Sequence, residues 1–484
     1  MAYKLSALIG ALMVSAALPA AAACDPDYTG VTLNVGVQTG PFVASALKIA
    51  GENWEKKTCG KVNVIEFPFG ELFPKYITAL TGGTGDFDVM AFTPAWLPDM
   101  ADQLTDMPES IRTGDYWDDI HPSYKERLMV WNGAVKAAQM DGDMHTLQYR
   151  GDLFENPEEQ KKFKEKYGYD LAAPKTWDQY YDIAEFFTRP DQGLYGTAEA
   201  YKRGGQQFWY FFSHAASYTN NPNVPGSMFF DPDTMKAQVN NEGWVKALED
   251  YKRGVAFNPP GALNNGSSDI RPIYAGGQVA MNIDWGDSGV LGADKKESRI
   301  VGHVRASMLP GSTKIWNIRT NSWDEFPEPV ASPFLAFGGW QLGVPNSSAN
   351  IEAAWNYVQE ATSVETSGKA IVTPGTGVNP YRVSHLTNVD NWSTIFSKPE
   401  AESYLGAIKD TLDAKNVTFD LRLPGFFSYT EVLEIELSKA LAGEVEPKAA
   451  LDAVAAEWDR LTEEFGKDKQ LAAYRASMGL PPLQ

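Results

Sequence analysis

The fold is decided by residues 31–92, which read VTLNVGV (31–37), PFVASALKIAGENWEKK (41–57), VNVIEFPF (62–69), ELFPKYITALTGG (71–83) and FDVMAF (87–92). The first, third and fifth segments are short and apolar, as strands are, whereas the second and fourth have the length and amphipathic pattern of helices. Strands that alternate with helices predict a mostly parallel sheet with helices on both of its faces. The sequence therefore predicts an α/β protein.

In such sheets ligands bind beyond the carboxyl ends of the strands, where the strand order switches. Residues 38–40, 69–71 and 93–96 follow the first three predicted strands. We expect these three loops to meet at one edge of the sheet and to border a ligand cleft.

The remainder of the chain continues the α/β pattern. A turn-rich segment at 141–152 marks a crossing into a second lobe, and a helix at 268–276 precedes a strand at 278–285. Residues 310–333 are rich in Gly, Pro, Ser and Asn and predict a loop, followed by a strand around 334–345 and a helix at 350–362. Beyond residue 401 the pattern is mostly helical.

The N-terminus predicts export. Lys4 precedes the apolar run LSALIGALMVSAAL (5–18) and a small-residue stretch that ends at Ala23, which is the pattern of a secretory signal peptide over residues 1–23. No later stretch approaches the ~20 apolar residues of a membrane-spanning helix. We therefore expect a soluble, periplasmic protein.

The charge of the chain restricts its partners. A net charge of −20 and a pI near 4.8 disfavour binding to nucleic acid or to anionic lipid. A small neutral ligand is the better expectation, although one Arg can still dominate a cleft. The five His residues show no metal-ligand spacing, so we expect neither a metal nor a cofactor.

The only two cysteines, Cys24 and Cys59, flank the first predicted strand–helix unit. Both positions lie at the amino-terminal edge of a parallel sheet, and export permits a disulfide between them. The alternative is a lipid tether on Cys24, although the residues before it lack the Leu that is usual in lipoprotein signals.

Five segments, in order, resemble the extracellular solute-binding proteins of carbohydrate ABC importers, the maltose-binding type. They are ELFPKYITALTGGTGDFDVMAF (71–92), YRGDLF (149–154) with PKTWD (174–178), IYAGGQVAMNIDWGDSG (273–289), FGGWQLGVP (337–345) with the helix around Trp355, and GEVEPKAALDAVAAEWDRL (443–461). Each segment is weakly specific alone, but their common order covers nearly the whole chain after residue 23.

The resemblance implies a two-lobed periplasmic-binding-protein fold of type II, with a hinge between α/β lobes. Residues 24–141 and 313–388 would form the N-terminal lobe, and residues 142–312 and 389–484 the C-terminal lobe. Closure over a sugar or polyol would bury it and present a surface to the permease subunits of an ABC transporter. We expect a monomer.

Sugars pack their CH faces on aromatic rings and bond their hydroxyls to amides, carboxylates and Arg. Trp96 lies just beyond a predicted strand, and Trp340 follows two glycines that permit close approach of a ligand to the backbone. Arg382 is a further candidate, with a surface ion pair as its alternative role. For each Trp the alternative is ordinary core packing.

The resemblance adds further candidates for ligand binding. Trp285 ends the strand in which family members often supply a stacking ring, and Asp284 and Asp287 beside it are suited to accept sugar hydroxyls. Trp209 belongs to the aromatic run Phe208-Trp209-Tyr210, in the region of the family's aromatic platform.

Two more candidates come from the resemblance. Arg150 occupies a position where this family often has Asn or Arg near the ligand. Tyr429 belongs to a segment that approaches the cleft in the maltose-binding type.

Two other functions are compatible with the sequence. A binding protein for a non-carbohydrate solute such as a polyamine would fit the acidic composition. An exported glycoside hydrolase needs only two suitably spaced carboxylates, and the chain has 62 acidic residues.

Overall fold

The computed structural model describes residues 24–40 and 42–483. The predicted signal peptide, residues 1–23, lies outside the described residues. Within the described ranges no helix is both long enough and apolar enough to cross a membrane.

The strands are β1 (Thr32–Gln38), β2 (Lys61–Phe67), β3 (Val89–Phe92), β4 (Val130–Trp131), β5 (Ala134–Val135), β6 (Ala138–Gln139), β7 (His145–Arg150), β8 (Tyr195–Ala198), β9 (Val279–Trp285), β10 (Val304–Ser307), β11 (Ser312–Asn317), β12 (Ser322–Val330), β13 (Phe334–Leu335), β14 (Gln341–Gly343) and β15 (Thr418–Phe419). The α-helices are α1 (Ala44–Thr58), α2 (Phe69–Gly82), α3 (Leu97–Met100), α4 (Gly114–Asp118), α5 (Gly151–Phe154), α6 (Pro157–Tyr167), α7 (Trp177–Phe187), α8 (Gln207–Thr219), α9 (Glu242–Gly254), α10 (Ser267–Ala275), α11 (Asp287–Gly292), α12 (Ile351–Ala361), α13 (Val364–Ala370), α14 (Val383–Thr387), α15 (Val389–Trp392), α16 (Lys398–Leu412), α17 (Phe426–Leu441), α18 (Pro447–Glu464) and α19 (Lys467–Ser477).

The first sheet has the strand order β2-β1-β3-β14-β6. Strand β1 pairs in parallel with β2 and β3, whereas β14 runs antiparallel to β3 and β6. The carboxyl ends of β1, β2 and β3 therefore share one edge, and the loops that follow them meet there as expected. Helix α1 packs between β2 and α12.

The second sheet has the order β10-β7-β9-β8. Strands β8 and β9 are parallel, but β7 is antiparallel to both of its neighbours, so this sheet is less parallel than expected. Helix α8 packs on α9 and α17. Every residue of α8 is buried, which agrees with its apolar and aromatic composition on all sides.

Segments that run between the two sheets pack backbone against backbone. At Gly339, which has a φ of +83°, an added Cβ would lie 1.9 Å from the carbonyl oxygen of Asp141. At Gly142 an added Cβ would lie 2.1 Å from the carbonyl oxygen of Pro380. Only glycine permits this approach, and it brings three chain segments together between the lobes.

Two predictions about residues 310–345 differ from the structure. The predicted loop at 310–333 contains the antiparallel hairpin β11–β12, and β11 packs on α8 and α9 of the second lobe. The hairpin therefore packs on helices of the second lobe, although the predicted boundary at 313 assigns it to the first. The single strand predicted at 334–345 is broken between β13 and β14, because Phe337, Gly338 and Gly339 all have positive φ.

Cys24 and Cys59 form a disulfide with a Cα–Cα distance of 5.8 Å. The bond joins the segment before β1 to the loop between α1 and β2, as the strand–helix pattern predicts. A sulfur bonded to Cys59 cannot also carry a lipid, so the disulfide and a lipid tether on Cys24 exclude each other.

Candidate functional site

Four predicted tryptophans meet between the lobes, around Phe69, from the predicted cleft loop 69–71, and Phe337, which was not among the predicted residues. Phe69, the first residue of α2, has ring-centroid distances of 5.5 Å to Trp96, 5.9 Å to Trp209 and 6.3 Å to Trp340. Phe337 lies 4.9 Å from Trp209, 5.8 Å from Trp285 and 5.1 Å from Trp340. Together these six residues form the aromatic cluster.

Local structure fixes the tryptophans at the strand ends. After β3, Thr93 accepts a hydrogen bond from the Ala95 amide and donates one to the Phe337 carbonyl, which orients the turn that carries Trp96. Trp285 is the last residue of β9, and its Nε1 donates to Gln206 Oε1 at 2.8 Å. The cluster thus combines rings from both sheets with the segment that links them.

Arg271 organises the acidic side of the cleft, although it was not among the predicted residues. Its Nη1 and Nη2 donate to Asp287 at 2.8 and 2.9 Å, and its Nε donates to Asp284 at 3.2 Å. Asp284 also accepts bonds from the Tyr210 hydroxyl and the Trp285 amide. Because Asp284 is fully buried, it supports Arg271 and Trp285, whereas Asp287 lines the cleft.

Asp141 and Asp143, which also escaped prediction, lie on a segment that crosses between the lobes. Asn379 joins them: its backbone amide donates to Asp141 at 2.6 Å, and its Nδ2 donates to Asp143 at 2.5 Å. Burial raises the pKa of Asp143 well above its usual range, and the charge of Asp141 raises it further. Burial and the neighbouring carboxylate therefore both favour the uncharged form of Asp143.

Two cavities lie between the lobes, and Gln206 lines both. The polar cavity, about 30 Å³, is lined by Gln38, Asp143, Arg271, Trp285, Asp287 and Trp340. The apolar cavity, about 340 Å³, is lined by Phe69, Trp96, Phe208, Trp209, Phe426 and Phe427. A water needs about 10–15 Å³, so the polar cavity holds roughly two waters. The lobes must separate before a larger solute enters it.

Three predicted ligand contacts lie away from both cavities. Arg150 ends β7 opposite Val304, whereas His145 at the other end of that strand pairs with Trp285. The guanidinium of Arg150 instead bonds Asp152 and the Gly277 carbonyl.

Arg382 and Tyr429 are buried inside the lobes. Arg382 donates to the carbonyls of Tyr116 and Thr362, so its role is internal rather than at the cleft. The Tyr429 hydroxyl pairs with Thr462, and its ring packs edge-on to Trp458. Phe426 and Phe427, from the same helix as Tyr429, line the apolar cavity.

Arg422 ties the two lobes together beside the aromatic cluster. It is 3% exposed and donates to the carbonyls of Pro94, Arg127, Leu128 and Val130, all of which belong to the first lobe. Asp420, two residues before Arg422, accepts a hydrogen bond from Trp209 of α8 in the second lobe. The closed arrangement is thus held by contacts outside the polar cavity.

Comparison with known protein families matches residues 38–367 to the bacterial extracellular solute-binding proteins. This is more than half of the 484-residue chain. The chain belongs to this family. A mannitol-binding protein of Pseudomonas aeruginosa is 26% identical over 288 residues, which cover 58% of this chain and 58% of that protein. The chain therefore spans less than two thirds of the length of this relative.

Another relative of this solute-binding protein is a probable amino-acid ABC transporter periplasmic-binding protein of Sinorhizobium fredii. It is 24% identical over 372 residues, which are 71% of this chain and 72% of that protein. Among solved structures, an ABC transporter solute-binding protein of Agrobacterium radiobacter K84 in complex with ribitol superposes with a TM-score of 0.72 at 22% identity, covering 90% of this chain and 100% of that chain. This likeness confirms the predicted two-lobed fold.

Proposed function

We propose that this solute-binding protein captures a neutral polyhydroxylated solute, a sugar or a polyol, between its lobes and delivers it unchanged to the permease of an ABC transporter. The observation that carries the proposal is the meeting of Trp96, Trp209, Trp285 and Trp340 between two lobes. The aromatic rings there can pack against the CH faces of a sugar, and Asp287 and Asp143 beside them can hydrogen-bond to its hydroxyls.

The charges of the polar cavity favour a neutral ligand over an anionic one. Among the described residues that line it, Arg271 is the one cation, and its three nitrogens already bond Asp284 and Asp287. An anionic solute such as a sugar acid would meet carboxylates without a free counter-charge. The names of the relatives, which bind mannitol and ribitol, support the same ligand class.

The remaining assignments follow from this proposal. We assign Trp96, Trp209, Trp285, Trp340 and Asp287 to ligand contact, and Asp284 to the support of Arg271. The first lobe would consist of residues 24–141 and 331–388, and the second of residues 142–330 and 389–484. The signal peptide would direct a monomeric protein to the periplasm.

A thermal-shift panel tests the ligand class. A ligand at about 100 times its Kd stabilises the native state by about 2.7 kcal/mol, so D-mannitol, ribitol, maltose, D-gluconate and spermidine can be ranked. We expect stabilisation by at least one neutral polyol or sugar and none by gluconate. Replacement of Trp285 by Ala should abolish the shift, whereas replacement of Trp323, on the β11–β12 hairpin, should not.

The panel also separates the alternatives. The acidic groups of the polar cavity favour an amine as the second candidate, and stabilisation by spermidine alone would establish it in place of a sugar. Chromatography of the ligand after incubation distinguishes binding from hydrolysis, because a glycoside hydrolase would convert maltose to glucose.

A further inference from the structure

The cleft offers two chemically different environments to one ligand. The polar cavity has carboxyl, guanidinium and amide groups, whereas the apolar cavity beside it has aromatic walls from both lobes. Gln206 lines both cavities, and Phe69 packs on Trp96 in one and Trp340 in the other. A ligand that extends past Gln206 therefore passes from a polar to an apolar surrounding.

We propose that the ligand is an amphiphilic glycoside or polyol derivative, with its hydroxylated part in the polar cavity and an alkyl or aryl substituent in the apolar cavity. The proposal rests on the proposed function and names its ligand class. A polyol without a substituent, bound in the polar cavity, would leave the apolar cavity of about 340 Å³ unfilled.

The hydrogen-bonding groups of the apolar cavity disfavour a second fully hydroxylated ring. The Thr430 hydroxyl already donates to backbone carbonyls of its own helix. Glu434 uses one carboxylate oxygen to accept the Gly204 amide, and its buried Oε1 has no protein partner. Glu434 Oε1 could accept one hydroxyl, and the other two charged lining residues, Arg203 and Glu431, are more than half exposed and lie 3.9 Å from each other. A sugar ring with several hydroxyls would still leave some of them unpaired, which costs affinity, whereas an apolar group needs no partner.

Pairs of ligands that differ only in an apolar substituent test this arrangement. Isothermal titration would compare D-mannitol with 1-O-hexyl-D-mannitol, and methyl with hexyl α-D-glucopyranoside. Since a buried methylene tightens binding by about fourfold, partial burial of a hexyl chain should tighten binding at least about tenfold. Maltitol, which adds a second sugar ring to a polyol, should gain less than the hexyl derivative.

A glycine in the wall of the apolar cavity can be replaced to reduce the space available to a ligand there. A Cβ added at Gly70 would meet no atom within 4 Å, and the same holds for Gly406 in α16. Gly70 lines the apolar cavity and also a neighbouring groove at Lys75, and we expect Gly70→Leu to narrow the apolar cavity without disturbing the fold. Because the added Leu side chain takes up volume only in the apolar cavity, we expect Gly70→Leu to lose the tighter binding of the hexyl derivative but to bind the parent polyol within about twofold of the wild type. Gly406→Leu should bind both ligands as the wild type does.

The outcomes separate this inference from the proposed function. If parent polyols or sugars bind but the hexyl derivatives bind no tighter, or if the gain persists in Gly70→Leu, the second environment is not used and only this inference is overturned. A larger gain from maltitol than from the hexyl group would also overturn it, in favour of a disaccharide. If no sugar, polyol or derivative binds, the proposed function itself is wrong.

Discussion

Replacement of Asp420 by Asn should flatten the pH dependence of stability. The Asp420 carboxyl is 3% exposed, and it accepts hydrogen bonds from Trp209 Nε1 at 2.5 Å and the Leu421 amide at 2.8 Å. Burial raises its pKa to about 7, from a usual value of about 3.9 in an unfolded chain. The native state therefore binds the proton more tightly than the unfolded state does.

The sign and size of the effect follow from this difference. Because the folded pKa is the higher one, the free energy of unfolding falls as the pH rises from about 4 to about 7 and is level beyond that. One pH unit is worth about 1.36 kcal/mol for one group, so Asp420 accounts for about 2 kcal/mol between pH 5 and pH 7. Asn cannot titrate, so this part of the dependence should disappear in Asp420→Asn.

Urea unfolding at pH 5, 6 and 7 measures the effect as a difference between two curves. Asp141, Asp143 and Glu434 titrate in both proteins and cancel in the comparison. Asp413→Asn is the control, since this carboxylate is an exposed partner of Lys409 and should leave the slope unchanged. Parallel curves for the wild type and Asp420→Asn would refute the reasoning, whatever their absolute offset.

Three further predictions concern the cleft and the segments between the lobes. Arg271→Met should lower the free energy of unfolding, measured in urea, by about 3–5 kcal/mol, because its two carboxylate partners stay buried. Adding Asp287→Asn should recover part of this loss. A larger loss in the double variant would argue against the ion pair. Gly339→Ala should lower stability by more than about 3 kcal/mol, because it adds a clash to a left-handed backbone. The control Gly443→Ala, at φ +76° with no atom within 4 Å of the added Cβ, should cost only about 1 kcal/mol. Equal losses in the two variants would contradict the close approach at Gly339. Arg422→Met should cost about 3 kcal/mol and enlarge the radius of gyration measured by X-ray scattering, and an unchanged radius would mean that other contacts hold the lobes.

The first lobe could be predicted from local pattern because its strands β1, β2 and β3 follow one another with single helices between them. Their order in the sheet then places Trp96 at a known edge. For Trp96, the position in a parallel unit fixes the side of the sheet, and the residue type suggests the role. Trp285 is predicted by the resemblance instead, as the last residue of a strand in which family members often supply a stacking ring.

The acidic centre of the cleft could not be predicted in the same way. Arg271 lies on a helix and Asp143 on a crossing segment, and the local sequence around each residue does not indicate that both side chains reach one cavity. Their proximity depends on how two lobes close, which is a long-range property of the chain. Arg150 lies five residues beyond His145 in β7, and at about 3.3 Å per residue the strand places it at the edge of the sheet away from both cavities.

The hairpin β11–β12 shows a conflict between composition and pattern. Residues 310–333 contain the turn-forming types that predict a loop, and β12 itself includes two prolines. The hairpin forms because β11 buries Ile315 and Trp316 against α8 and α9, and because Trp316 packs edge-on to Trp323 at 5.5 Å. Tertiary burial therefore outweighs local propensity here.

The arrangement of the cleft explains how a solute can control the relation between the lobes. A ligand shifts a conformational equilibrium only by its difference in affinity for the two states. Gln38 from the first lobe and Trp285 with Asp287 from the second line one cavity, so contacts to both sides exist together only when the lobes are close. Asp143 lies on the crossing segment itself, beside the glycine contacts that form the hinge region. Under the proposed function, a solute bound to Asp143 and Asp287 would be held simultaneously by the hinge region and by the second lobe, and its binding energy would favour the closed form to which the Arg422 contacts belong.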